Sequence, residues 1–212
     1  MPRRILPAAV AAIALGLPAT AQTESWDYSG FEEIEASAGL RVEFETAETY
    51  SVRAEFERGD RSDVEVDLDG DTLELRRKGG WNRANRVKAT FHVTAPSLEA
   101  IEVSSGVSMR AAGIDADDFE IDASSGASLR VTGGCAELEI DASSGASVDA
   151  AELECVDVDV DASSGSSVRA HATGEIRADA SSGAGVRVSG GGQAMDIDSS
   201  SGASVDIEPR EL

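Results

Sequence analysis

Along most of this 212-residue chain apolar and polar residues alternate at period two, pause at a Ser-Ser-Gly tripeptide, and then alternate again. The tripeptide recurs six times, with its glycines at Gly106, Gly126, Gly145, Gly165, Gly183 and Gly202, so the gaps are 20, 19, 20, 18 and 19 residues. With each Gly as position zero, position −5 holds Ile101, Ile121, Ile140, Val160, Ala178 and Ile197. Position −3 holds Val103, Ala123, Ala142, Ala162, Ala180 and Ser199, and position +3 holds Met109, Leu129, Val148, Val168, Val186 and Val205. Period-two alternation describes a strand with one buried face. Its recurrence at a fixed interval describes a solenoid in which each repeat is one coil of two short strands joined at the tripeptide. Parallel strands linked by crossovers are right-handed in about 98% of cases. The expected fold is therefore all-β: a right-handed parallel β-helix with about 18–20 residues per coil. At about 4.8 Å per coil, the six marked repeats make a rod of roughly 30 Å.

The Gly of the tripeptide is expected to take a positive φ, or to let another backbone approach closely, where a side chain would clash. Carried through the tripeptide, the same alternation puts the Ser before each Gly in register with the inward columns. Its hydroxyl would then bond along a ladder of like residues. Six equivalent serines suit such a structural role better than that of a nucleophile, which needs one activated residue.

The N-terminal half is less regular. Residues Phe31 to Val42 repeat the alternation around Gly39, with Ile34 and Ala36 in the inward columns. Val64 to Leu68, Asp69-Gly70 and Thr72 to Leu75 read as a hairpin with a type I′ turn. Val87, Ala89, Phe91 and Val93 suggest one more strand. Trp26 and Trp81 both fall in this half, so the larger side chains are expected to close one end of the rod against edge-to-edge association. The organisation read from the pattern is a leader over 1–21, an irregular β segment and cap over 22–95, and the regular β-helix over 96–212, with 22–212 one domain.

The leader has the parts of a secretory signal peptide: Arg3 and Arg4, an apolar run from Ile5 to Leu17, and a small-x-small site ending at Ala21. The run falls short of the roughly 20 apolar residues a membrane-spanning helix needs. The expected location is the periplasm, or the cell surface and exterior, after cleavage near Ala21, with no transmembrane segment. A formal charge of −22 would repel nucleic acid and anionic membranes. Only 4% of residues are aromatic, which suits a narrow interior filled by Ala and Val better than a wide core. Export also provides an oxidising compartment. Cys135 and Cys155 each lie ten residues before the next motif Gly, hence in one column of adjacent coils, so a disulfide between them is expected.

Outward positions carry the candidate chemistry. Position −4 is acidic in every repeat: Glu102, Asp122, Asp141, Asp161, Asp179 and Asp198. Position −6 adds Glu120, Glu139, Asp159 and Asp196, interrupted by Arg177. Stacked carboxylates about 5 Å apart can share oxygen ligands with Ca²⁺, which makes Asp122, Asp141, Asp161, Asp179 and Asp198 the metal candidates and calcium the one candidate cofactor. The alternative is a solvated acidic face. Residues 157–161 begin like an EF-hand loop, but Ala162 and Val168 stand where its Gly and Glu belong. Basic residues gather at Arg76, Arg77, Lys78, Arg83, Arg86 and Lys88. They could meet an anionic glycan or another copy's acidic face, or simply balance charge at the rod end. The histidines are His92 and His171, and no nucleophile elbow, zinc-binding His pair or phosphate loop is present. No catalytic or cofactor-binding residue is assigned. A polysaccharide lyase would combine the Asp cluster and calcium with an Arg base such as Arg110, Arg130 or Arg169.

The early β segment, the lead-in Pro96-Ser97-Leu98 and the serial corners resemble the putative auto-transporter adhesin head domain family, or GIN domains. Those corners read SSGVS from Ser104, SSGAS from Ser124 and Ser143, SSGSS from Ser163, SSGAG from Ser181 and SSGAS from Ser200. The resemblance covers roughly Phe31 to Ile207 and implies a β-helical fold, a bacterial envelope location and adhesion; it brings no catalytic residues. The expected function is an exported, non-catalytic binding or structural module at the cell envelope. Its partner would be a glycan, an envelope component or another copy. The alternatives are a calcium-dependent carbohydrate-active enzyme and a self-assembling envelope scaffold.

Overall fold

The computed structural model describes residues 22–79 and 87–208; the stretch 1–21 expected to be a signal peptide, Trp81, Arg83 and Arg86 lie outside the described residues. One continuous sheet wraps into a β-solenoid. The chain forms β1 (Gln22–Trp26), β2 (Glu33–Ala36) and β3 (Arg41–Thr46), reverses through β4 (Ser51–Arg58), a 3₁₀ turn (Arg61–Asp63) and β5 (Val64–Asp69), and returns through β6 (Thr72–Arg77) and β7 (Lys88–Ala95). The regular part follows: β8 (Ala100–Val103), β9 (Ser108–Ala123), β10 (Ser128–Ala142), β11 (Ser147–Ala162), β12 (Ser167–Ala172), β13 (Glu175–Ala180), β14 (Gly185–Ser189), β15 (Gln193–Ser199) and β16 (Ser204–Ile207).

Each regular coil has an arm that approaches the Ser-Ser-Gly turn and an arm that leaves it. Like arms stack in parallel register: Ile101 on Ile121, Ile121 on Ile140, Ile140 on Val160, Val160 on Ala178, Ala178 on Ile197. The predicted inward columns are buried in every coil except the last.

The corner differs in part from expectation. Ser105 has φ 53° and Gly106 φ 76°, the other five turns repeat these values closely, and the Val107 N–H donates to the Ser104 carbonyl. Two central residues with positive φ mark a type I′ turn. This turn rotates both residues out of the pleat, so Ser105 and its equivalents are exposed rather than inward, and burial resumes one residue after the Gly, at Val107, Ala127, Ala146, Ser166 and Ala184. The ladder at the corner is consequently main-chain. Gly106, Gly126, Gly145 and Gly165 N–H groups donate to the carbonyls of Ser125, Ser144, Ser164 and Ser182 in the next coil, each at 3.1 Å. A Cβ on any of the six glycines would meet nothing within 4 Å, so the dihedral alone requires glycine there.

The opposite corner is a register slip. β9 and β10 run around it unbroken, with shifts at Thr132/Gly133 and Arg130/Thr132. At Gly133, with φ 140°, a Cβ would lie 2.1 Å from the Ile114 carbonyl oxygen. Just beyond, Cys135 and Cys155 pair in register and form the expected disulfide, with Cα atoms 4.5 Å apart.

Chain order and stacking order part company in the N-terminal layers. The coil β2–β3, whose Ser37-Ala38-Gly39 turn also has two positive φ values (64° and 67°), sits between β8–β9 and an outer layer made by β6 and β7. On that outer layer β5 and β4 lie antiparallel, and β1 lies antiparallel on β4. The β5–β6 hairpin closes on Gly70-Asp71 rather than Asp69-Gly70, since Asp69 pairs with Thr72 and only Gly70 has positive φ (65°). That is the type II′ pattern, which needs Gly at the first central position, and not the predicted I′. Trp26 packs 5.8 Å from Phe91, Phe31 meets Tyr50 edge-on at 5.0 Å, and the Arg61 guanidinium stacks 4.6 Å over Trp26. Large rings close this end, as expected.

Candidate functional site: the carboxylate face of the approach arm

On a strand, positions two apart share a face. The approach arm therefore presents positions −8, −6, −4 and −2 together. Position −4 stacks residue on residue: Glu102, Asp122, Asp141, Asp161, Asp179 and Asp198 are successive register partners. The column also continues beyond the six repeats, since Glu35 pairs with Glu102 on one side and with Glu74 on the other. Eight carboxylates thus line one row across layers that are not consecutive in the chain. Position −6 runs Glu120, Glu139, Asp159, Arg177, Asp196 as predicted. A third acidic column, Asp118, Glu137 and Asp157, lies at position −8; the sequence reading missed it because Leu98 and Ala194 occupy that position in the first and last repeats.

Between the −4 carboxylates and the first serine of each turn runs an open groove of about 720 Å³, bounded by residues such as Asp141, Ser143, Asp161 and Ser163. A second groove of about 570 Å³ follows the other acidic columns. Desolvation by the surrounding protein, and then the neighbouring carboxylates, push Glu102, Asp141, Asp161 and the exposed Asp179 above the usual carboxylate range. Glu120 is raised for the same reasons. At the margin of the row Arg76 lies 2.8 Å from Glu74. Among the described residues no three His, Cys, Asp or Glu side chains converge on one metal position, so the chain can offer an ion two stacked carboxylates but not a closed cage.

The other candidates lie elsewhere. Arg110 and Arg130 are register partners on the departure arm, in a column that continues through Asp149, Arg169, Arg187 and Asp206. These arginines follow the Ser-Ser-Gly turn, whereas the acidic row precedes it. Arg130 pairs with Glu152, and Arg187 lies 3.4 Å from Asp206. Of the basic cluster, Arg76 is held by Glu65 and Glu74, Lys88 by Glu57 at 2.6 Å, and Arg77 donates to the Gly39 carbonyl. His92 faces Glu43 at 3.2 Å and His171 faces Ser189 at 3.4 Å, each its cross-strand neighbour.

Residues 30–192 match the model of the family described as putative auto-transporter adhesin, head GIN domain. Among solved structures, a putative adhesin from Bacteroides fragilis is similar with a TM-score of 0.65 at 15% identity, over 88% of this chain and 96% of that one. A putative adhesin from Parabacteroides merdae (TM-score 0.53, 14% identity, 90% and 97% covered) and a putative lipid binding protein from Parabacteroides distasonis (0.51, 12%, 90% and 98%) share the fold. No curated protein matches the sequence.

Proposed function

This chain belongs to the putative auto-transporter adhesin head GIN domain family, and from that premise we propose that it is an exported, non-catalytic binding module of the bacterial cell envelope. Its ligand lies along the carboxylate face. The observation that carries this reading is the repetition of one site: every coil from Glu102 to Asp198 offers the same carboxylate beside the same serine hydroxyl, in register along a groove. A catalytic centre would break the pattern at one place, whereas a repeating surface suits a repeating ligand, with weak contacts multiplied along its length. The chemical class is a hydroxyl-rich polymer such as an envelope polysaccharide.

Calcium fits as a bridging ion. Asp141 and Asp161 would supply two carboxylates, and ligand hydroxyls and water the remaining oxygens. Desolvation and then mutual repulsion raise these groups, and a bound cation would relieve the repulsion.

The test is an array of envelope glycans and cell-wall fragments, probed in millimolar calcium and in sodium chloride of matched ionic strength, with the parent chain and Asp141→Asn/Asp161→Asn. At least tenfold weaker glycan binding by the double variant is expected, with calcium dependence only in the parent. Equal binding by both chains would place the ligand on another face. Release of unsaturated products from an acidic polysaccharide would replace binding with lyase activity.

A further inference from the structure

The C-terminal end of the solenoid is a core layer with nothing stacked on it among the described residues. Ile197, Ala203, Val205 and Ile207 fall in the inward columns, and Met195 shares the Ile197 face of β15. Yet Met195 is 52% exposed, Ile197 is 38% exposed, and Ala203, Val205 and Ile207 are only partly buried. One coil earlier Ala178, Ala184, Val186 and Val188 are all at most 3% exposed. The strands at this end are single-sided too: β15 pairs only with β13, and β16 only with β14. Two free edges therefore flank an apolar layer.

The opposite end shows how this sheet terminates. There β5 and β4 lie antiparallel on β6 and β7, so both arms of the solenoid accept reversed strands. A second copy, turned by a twofold axis perpendicular to the solenoid axis, presents its own β15 and β16 in that reversed sense, with its own Met195, Ile197, Val205 and Ile207 between them. An extended peptide would fill one edge and leave the other arm and the apolar layer open. The occupant that matches two edges and the layer between them is another such end.

We propose that two copies of this chain join through their C-terminal ends into an isologous dimer, with β15 and β16 continuing antiparallel across the seam. At the N-terminal end β1 and β5 also keep one unpaired edge among the described residues, but Val64 and Val66 there are at most 6% exposed, so no bare apolar layer accompanies those edges and the association stops at two. This assignment is independent of what the carboxylate face binds. Asp196, Asp198 and Asp206 flank the seam and repel across it, so added salt strengthens the dimer by screening.

Sedimentation velocity of the purified chain, disulfide intact, from about 1 to 500 µM spans the range in which so small an interface associates. A monomer-to-dimer shift that ends at the dimer, and moves to lower concentration in higher salt, is expected. Met195→Lys/Ile197→Lys, at positions already exposed in the monomer, should weaken dimerisation at least tenfold. Amide hydrogen exchange of the unaltered chain gives a readout without mutation: residues 193–199 and 204–207 should gain protection with concentration while 22–26 do not. A monomer throughout, growth beyond the dimer, or protection gained at β1 instead would overturn the assignment.

Discussion

Around Phe31, Phe44, Phe56 and Phe91 the solenoid interior is filled by rings; in the column Ala123, Ala142, Ala162, Ala180 it is filled by methyl groups. Both regions belong to one sheet and both are fully buried. In the regular coils one column of methyl groups runs beside columns of Ile, Leu and Val, because like residues stack at strand spacing. Where the stacking sense reverses at β7/β4, the rings of Phe91 and Phe56 are buried instead. Four buried phenylalanines in the N-terminal layers, against Phe119 alone in the repeat, make the cap the heavier end.

The largest effect should come from the cap. Phe91→Ala is expected to cost about 3–5 kcal/mol, against about 1–2 kcal/mol for a truncation such as Val186→Ala in the coils. Urea unfolding of both variants checks the contrast, and equal losses would mean that the rings contribute no more than the methyl groups.

Reducing the Cys135–Cys155 bond comes next. Its sequence separation of 20 gives about 3 kcal/mol on the loop-entropy model, or a midpoint lowered by about 6–12 °C. A scan with and without reductant measures it, with a Cys135→Ser/Cys155→Ser variant as the control that must show the lower midpoint in both.

The two corners differ in a third way. Gly126→Ala meets open space and should lose only the dihedral term, about 1–2 kcal/mol. Gly133→Ala drives a methyl into the Ile114 backbone, and the loss should be more than twice as large. The reverse ranking in chemical denaturation would show that the register slip can relax.

The smallest effect concerns the acidic row. Folded-state affinities for protons are raised at Glu102, Asp141, Asp161 and Asp179, so these groups hold protons more tightly folded than unfolded. Their contribution favours the fold at pH below the ordinary carboxylate values of 4.5 and 3.8, and is lost as pH rises through the raised folded values. Melting temperature should therefore climb as pH falls from 7 toward that range. Asp141→Asn/Asp161→Asn should gain at most about 1 kcal/mol at neutral pH after solvent screening, or about 2–4 °C, and flatten the climb. No gain at pH 7 would mean that the repulsion is already dispersed by counterions.

The columns −5, −3, +3, −4 and −6, and the disulfide, were legible because a fixed period converts sequence offset directly into stacking. Three features were not. The outward turn of Ser105 and its equivalents is hidden because alternation cannot foresee where a type I′ turn rotates the chain. The extension of the acidic row to Glu35 and Glu74 crosses from β8 to β2 to β6, a stacking order that chain order does not contain. The Asp118, Glu137, Asp157 column keeps the offset −8, but Leu98 and Ala194 hold that position in the first and last repeats, so the acidic pattern does not span all six.

The Ser-Ser-Gly corner has an electrical consequence. Each Ser–Gly peptide both accepts from the preceding coil and donates to the next, so the bonds from Gly106, Gly126, Gly145 and Gly165 join five amide groups tip to tail. Their dipoles, about 3.5 D each, add along the solenoid axis and polarise one another, much as in a helix. The carbonyl pole faces the N-terminal cap and the amide pole lies at the coil of Gly183. Every coil added to the repeat lengthens this polar line, giving an otherwise uniform rod a built-in direction that places partial positive charge at its open end.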